Sequence, residues 1–147
     1  KWAGRIDSNS DKSYDQMKKY LLQNRSLSNH LLWLGEVTNI DELFDQSDAL
    51  ILPSLWEGLP NVICESMLKG CNVLASNVCD NSKLLKNGKL GFLFDPNSPL
   101  DICISIEDFY KKTHIQKITM AEKAMMFAKK ELSTTKMVSS YLEIINS

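Results

Sequence analysis

The chain has 147 residues, enough for one domain with a real core and too few for two full ones. With 44% hydrophobic and 24% charged residues, it has the composition of an ordinary globular domain. A formal net charge of -1 gives no electrostatic basis for bulk nucleic-acid binding, and no apolar run approaches the roughly 20 residues that span a bilayer.

No long apolar segment follows the opening KWAGRI, so no signal peptide is expected. Short apolar runs then alternate with amphipathic stretches, the pattern of an α/β domain with a mainly parallel sheet. WAGRI predicts a short strand that runs into the polar loop DSNSDKS. A helix over about 14–23 places Met17, Tyr20 and Leu21 at helical spacing. HLLWLG predicts a second strand, stopped by Gly35, and NIDELFDQS a short helix. DALILP carries the strongest strand signal, and its near-continuous apolar character predicts a central strand covered on both faces.

A helix over 61–69 follows, closed by Gly70. NVLAS is the next predicted strand, NSKLLKNG a short helix with Gly88 at its end, and GFLF a final short strand. Pro96 and Pro99 mark a change to helical pattern, over 100–112, 115–132 and 134–145. No repeat, linker or low-complexity tract interrupts the chain, which predicts one domain over residues 1–147.

The four cysteines, Cys64, Cys71, Cys79 and Cys103, include no CxxC pair, and His30 and His114 lie far from them in sequence. This spacing argues against zinc and for free, mostly buried thiols in a reducing cytosol.

Residues 52–70, LPSLWEGLPNVICESMLKG, concentrate the chemistry. The apolar run ALILP ends at the carboxyl end of a strand, where open α/β sheets bind ligands. Pro60 and Asn61 stand where the next helix begins, and proline suits a first helical turn because it lacks an N–H. The amides of residues 58–62 are then free to face an anion, favoured further by the helix dipole, and Gly58 lets a ligand come close. Glu57 and Glu65 stand eight residues apart on either side of this anion site. Carboxylates in such places accept hydrogen bonds from vicinal hydroxyls, so the pair suits a diphosphate with a hydroxylated group on each side. That is the shape of a nucleotide-sugar. The plainer alternative makes Glu57 a solvated loop residue and Glu65 an exposed helix residue. Against it, the helix is short and set between two buried strands, which leaves few positions facing solvent. Trp56, next to Glu57, either stacks on a sugar or packs on a neighbour, and Trp33 is expected in the core.

The run PSLWEGLPNVICESMLKGCNVLAS resembles the signature of the C-terminal, donor-binding domain of family 4, or "group 1", glycosyltransferases of the GT-B fold. Glu57 and Glu65 match the E-x7-E pattern; FDQSDALILPS, LLWLGEV and KNGKLGFLFDP resemble the flanking segments. The resemblance covers nearly the whole chain. It implies a Rossmann-like three-layer α/β fold, a parallel sheet with helices on both faces, forming the C-terminal half of a GT-B fold and ending in several helices. It implies a retaining transferase that moves a sugar from a UDP-, GDP- or ADP-sugar to an acceptor hydroxyl, in polysaccharide, lipopolysaccharide or glycolipid synthesis. No separate cofactor and no metal are expected.

By the same resemblance Glu57 is the catalytic-site carboxylate on the donor sugar. Gly58, Leu59, Pro60, Asn61 and Val62 hold sugar and diphosphate, Glu65 holds the ribose, and Gly35, Glu36 and Val37 lie near the nucleobase. The family's phosphate-neutralising Arg and Lys belong to an earlier βα unit. KWAGRI aligns with the second strand, so Arg5 and Lys12 are expected to be loop cations and the first βα unit to precede the chain. Lys83 stands where a glutamate is frequent. The glycan or lipid-linked acceptor is expected on an N-terminal domain outside these residues, and the isolated chain to be inactive. The parent protein is expected in the cytoplasm, with peripheral contact at the inner membrane face.

Four other classes compete with this reading. A non-catalytic nucleotide-sugar-binding module would keep the fold without transfer, and a GT-B epimerase would need further acid/base residues. A receiver domain needs an aspartate where ALILPS ends in Pro-Ser, and a dehydrogenase domain needs the GxGxxG that follows no strand here.

Overall fold

The computed structural model describes residues 1–4 and 13–145. Arg5 and Lys12 lie outside the described residues. Two compact units are present, Lys1–Ile40 and Asp41–Ser147.

In the first unit, β1 (Trp2–Ala3) pairs in parallel with β2 (Trp33–Gly35). The pairing is anchored by Trp2 N donating to Leu32 O at 2.7 Å and Gly4 N to Gly35 O at 2.8 Å. Helix α1 (Ser13–Gln23) is followed by a single turn, α2 (Arg25–Ser28), which the sequence pattern did not predict. Local bonds account for it: Asn24 Nδ2 donates to Tyr20 O and Ser28 Oγ to Arg25 O, with no apolar periodicity. Trp33 is half-buried rather than fully enclosed. Its ring stacks against Trp2 at 5.4 Å and takes the edge of Tyr14 at 5.0 Å.

The second unit holds α3 from Asp41 onward (Ile40–Asp45) and a parallel three-stranded sheet of β3 (Ala49–Leu52), β4 (Asn72–Ser76) and β5 (Phe92–Phe94). The order is β3-β4-β5, so β4 is central and buried at every residue, while β3 lies at an edge with Ile51 exposed. This differs from the expectation that DALILP is the central strand. Apolar density along a segment reports how much of it is covered, not which neighbours cover it.

Residues alternate along β4 between two cores. Val73 and Ala75 join Ile63 and Met67 of α4 (Asn61–Leu68), Leu84 and Leu85, and Ala124 and Ala128 of α7 (His114–Glu131). Leu74 points the other way, to Phe94 and to Phe109 of α6 (Pro99–Lys111). Helices therefore cover both faces of the sheet, giving the expected three layers. Each fully buried Leu or Ile side chain contributes about 1.5–3 kcal/mol of transfer free energy.

Helix ends follow local chemistry. Gly70, at φ +70°, ends α4 with its N–H on Met67 O and that of Cys71 on Ser66 O, a Schellman closure. Ser98 caps α6 through Asp101 N, and Thr113 and Gln116 form a reciprocal capping box on α7. Helix α5 (Asn81–Leu84) stops earlier than expected. Lys86, Asn87 and Gly88 all take positive φ beyond it, so Gly88 shapes a turn rather than a helix end. The last helix, α8, spans Thr134–Ile145.

Gly91 packs so tightly that a Cβ there would meet Val73 O at 2.6 Å and Leu85 Cδ2 at 3.1 Å. Of the four free cysteines, Cys71 is buried and Cys64 half-buried, but Cys79 and Cys103 are exposed. This corrects the expectation of mostly buried thiols: Cys79 lies in the turn after β4 and Cys103 on the solvent-facing side of α6, which sequence spacing does not reveal. Among the described residues, no helix is long and apolar enough to cross a membrane.

Candidate functional site

The loop 53–60 leaves the carboxyl end of β3 and delivers the chain to α4. Within it, Ser54 Oγ donates to Glu57 Oε1 at 2.5 Å, closing a four-residue turn. Glu57 is half-buried, with one carboxylate oxygen taken by Ser54. The serine was not singled out from sequence, although its position three residues before a glutamate in a turn is the available signal.

Pro60 is buried and serves as the N-cap of α4, so Asn61 and Val62 occupy the first helical positions. Pro60 O accepts from Ile63 N at 3.0 Å and Cys64 N at 3.4 Å. Among the described residues, the amides of Gly58, Leu59, Asn61 and Val62 donate to no backbone carbonyl. No side chain caps this helix, and its first turn carries no acid. The dipole of this helix end favours negative charge beside it.

Helix α4 buries Ile63, Ser66 and Met67, which leaves Asn61 and Glu65 together on its exposed face, one turn apart. Glu65 is solvent-facing, contrary to the expectation that so short a helix would leave few open positions. Burial of Ile63, Ser66 and Met67, at helical spacing on one face, suffices to seat the helix. Glu57, Gly58 to Val62 and Glu65 thus form one continuous loop-and-helix element. Gly35, at φ +67°, ends β2 in the first unit, with half-buried Val37 and exposed Glu36 just beyond it.

Burial raises the pKa of the Cys64 thiol, with the Glu65 carboxylate adding to the effect, so this cysteine is held protonated rather than primed as a nucleophile. Lys83 pairs with Asp80 at 2.7 Å. Its pKa is raised by that hydrogen bond, and its charge is spent locally.

A separate cavity of about 460 Å³ lies at the carboxyl ends of β4 and β5, lined by Asn77, Asp95, Asn97 and Asp101 among others. No sequence-predicted site residue lines it. Its carboxylates are engaged in backbone closure: Asp101 Oδ2 accepts from Asp95 N at 2.6 Å, and Asp95 Oδ1 from Asn97 N at 2.9 Å. Among the described residues, no group of three or more His, Cys, Asp or Glu side chains is placed to hold a metal ion.

Comparison with known proteins adds two kinds of finding. Over 72 residues, 49% of this chain, the sequence is 40% identical to the Escherichia coli UDP-Gal:alpha-D-GlcNAc-diphosphoundecaprenol alpha-1,3-galactosyltransferase, of which the match covers 19%. In fold, 98% of the chain superposes on 39% of Anabaena HepE, solved in complex with UDP and glucose, with TM-score 0.83 and 23% identity. A glycosyltransferase from Rickettsia africae ESF-5 gives TM-score 0.82 at 22% identity, over 97% of this chain and 38% of that one. The chain therefore spans well under half the length of these proteins. Residues 3–130 match the family described as "Glycosyl transferases group 1", and the chain belongs to that family.

Proposed function

We propose that the chain is the donor-binding domain of a retaining glycosyltransferase that moves a sugar from a nucleotide diphosphate-sugar to an acceptor hydroxyl. The observation that carries this is the β3–α4 element: a half-buried Glu57 fixed by Ser54, then the uncapped amides of Asn61 and Val62, then Glu65 on the exposed face of the same helix. In this assignment the diphosphate sits at the α4 N-terminus, where amides and dipole offset its charge. Glu57 accepts hydrogen bonds from the donor sugar through the oxygen that Ser54 leaves open. Glu65 accepts from the ribose hydroxyls, since a carboxylate matches a vicinal diol.

The donor is a UDP-, GDP- or ADP-sugar, and a fold relative solved with UDP and glucose supports a donor of this kind. The acceptor is a glycan or lipid-linked glycan held by an N-terminal domain beyond these residues, and a first βα unit supplies the phosphate-neutralising cations. The parent protein works in the cytoplasm at the inner face of the membrane, in polysaccharide, lipopolysaccharide or glycolipid synthesis. Catalysis rests on charge stabilisation of the departing diphosphate by preorganised donors.

The test is an NMR titration of the labelled chain with UDP, GDP and ADP and their sugar conjugates, alongside Glu65→Ala. Shifts centred on residues 58–65 that favour one base and weaken in the variant support the assignment. Saturable binding that ignores Glu65→Ala overturns the ribose role.

A further inference from the structure

Trp56 is the tryptophan that the fold leaves without a ring partner among the described residues. The other two tryptophans stack on each other, whereas Trp56 makes no ring contact among the described residues. It is 77% exposed, the highest value among the large hydrophobic side chains of the described residues, and it adjoins Leu55 at 69%. Leu59, two residues past Glu57, is 65% exposed. Three exposed apolar side chains, Leu55, Trp56 and Leu59, thus share one loop with a half-buried carboxylate. The Ser54–Glu57 hydrogen bond draws the carboxylate toward the turn, while the indole stays at the surface.

We infer that Trp56 is a positioning residue for the donor sugar, offering its indole face to the apolar C–H face of the pyranose ring whose hydroxyls bond to Glu57. This rests on the proposed function and adds to it a specificity element. A pyranose has one polar rim and two flatter C–H faces, so it needs acceptors at its edge and an apolar plate beneath. Adjacent Trp56 and Glu57 supply both from one loop. The indole is rigid and amphipathic, so ordering it on a ligand costs little conformational entropy. Sugars with an axial hydroxyl on the stacked face are disfavoured, because that hydroxyl would be pressed against the ring and lose its solvation.

The test uses the whole chain and pairs each free nucleotide with its sugar conjugate: UDP with UDP-glucose, GDP with GDP-mannose, ADP with ADP-glucose. The Trp56 indole N–H is assigned from the spectrum of Trp56→Phe. The expected result is that a sugar conjugate shifts this signal and magnetisation transfers from the indole to sugar ring protons, while the matching free nucleotide does neither. Trp56→Ala weakens the sugar conjugate about three- to tenfold and leaves the free nucleotide unchanged; Trp56→Phe restores most of the loss. Conjugate binding with shifts at Gly58 and Glu65 but a silent indole overturns the Trp56 role and leaves the donor site standing. An equal response to free nucleotide and conjugate also overturns it. No response to any of the six ligands overturns the donor site and the Trp56 role together.

Discussion

Ser54 and Glu57 are joined by a hydrogen bond across the turn that leaves β3, and this bond fixes the carboxylate beside the N-terminus of α4. A carboxylate on a free loop would sample many rotamers and repel an incoming diphosphate. Held by a serine hydroxyl, it presents one oxygen in a set direction. Ser54→Ala is expected to cost about 1 kcal/mol of stability or less, the net worth of a part-buried hydrogen bond. It should weaken binding of a sugar conjugate more than that of the free nucleotide. Isothermal titration of both ligands reads the difference, and equal loss for the two would place Ser54 outside the sugar contact.

Glu57 and Glu65 are expected to separate in the same assay. Glu65→Ala should weaken free nucleotide and sugar conjugate alike, by about tenfold or more, because hydrogen bonds to a charged group are among the stronger ones. Glu57→Gln should weaken the conjugate alone. If Glu57→Gln instead impairs the free nucleotide, the carboxylate contacts the ribose or phosphate and the two roles must be exchanged.

Gly91 is required for space. A Cβ would stand 2.6 Å from Val73 O, and the atom to be moved is backbone of the central strand rather than the end of a flexible side chain. Gly91→Ala is expected to destabilise by about 1–3 kcal/mol, the usual cost of overpacking, measured by urea denaturation. An unchanged midpoint would mean that β5 can shift away from β4 at little cost.

Cys71 predicts an alkaline loss of stability. Burial pushes its thiol above the usual 9.0, so in the unfolded chain it ionises near that pH while the folded chain still holds the proton. The unfolded state then binds fewer protons, and stability falls as pH rises above 9.0 toward the raised folded value. Below 9.0 the contribution is complete. Urea denaturation from pH 7 to pH 10 should show this decline, and Cys71→Ala should reduce its slope. An unaltered slope would assign the decline to another group that ionises in this range, such as Cys64, whose thiol burial also holds above 9.0.

The order of elements was legible in the sequence because its causes are local. Apolar periodicity marks helices such as α6 and α7, and Gly70 marks an end, since a left-handed residue acts on its own turn. The β3–α4 element was legible for the same reason: Glu57, Pro60, Asn61 and Glu65 lie within nine residues of one loop and helix. The one-turn helix α2 was not, because it rests on polar bonds from Asn24 and Ser28 that leave no apolar signature.

Tertiary structure decided what depends on distant neighbours. DALILP and NVLAS both read as buried strands, and only pairing made β4 central and left β3 at an edge. Glu65 became solvent-facing because Ile63, Ser66 and Met67 took the buried side of α4. Gly91 read only as the first residue of the strand GFLF, and its need for space arose when β5 closed against β4. Sequence sets the conformations each short segment prefers, whereas burial and approach distances arise only when segments far apart in the chain compete for the same space.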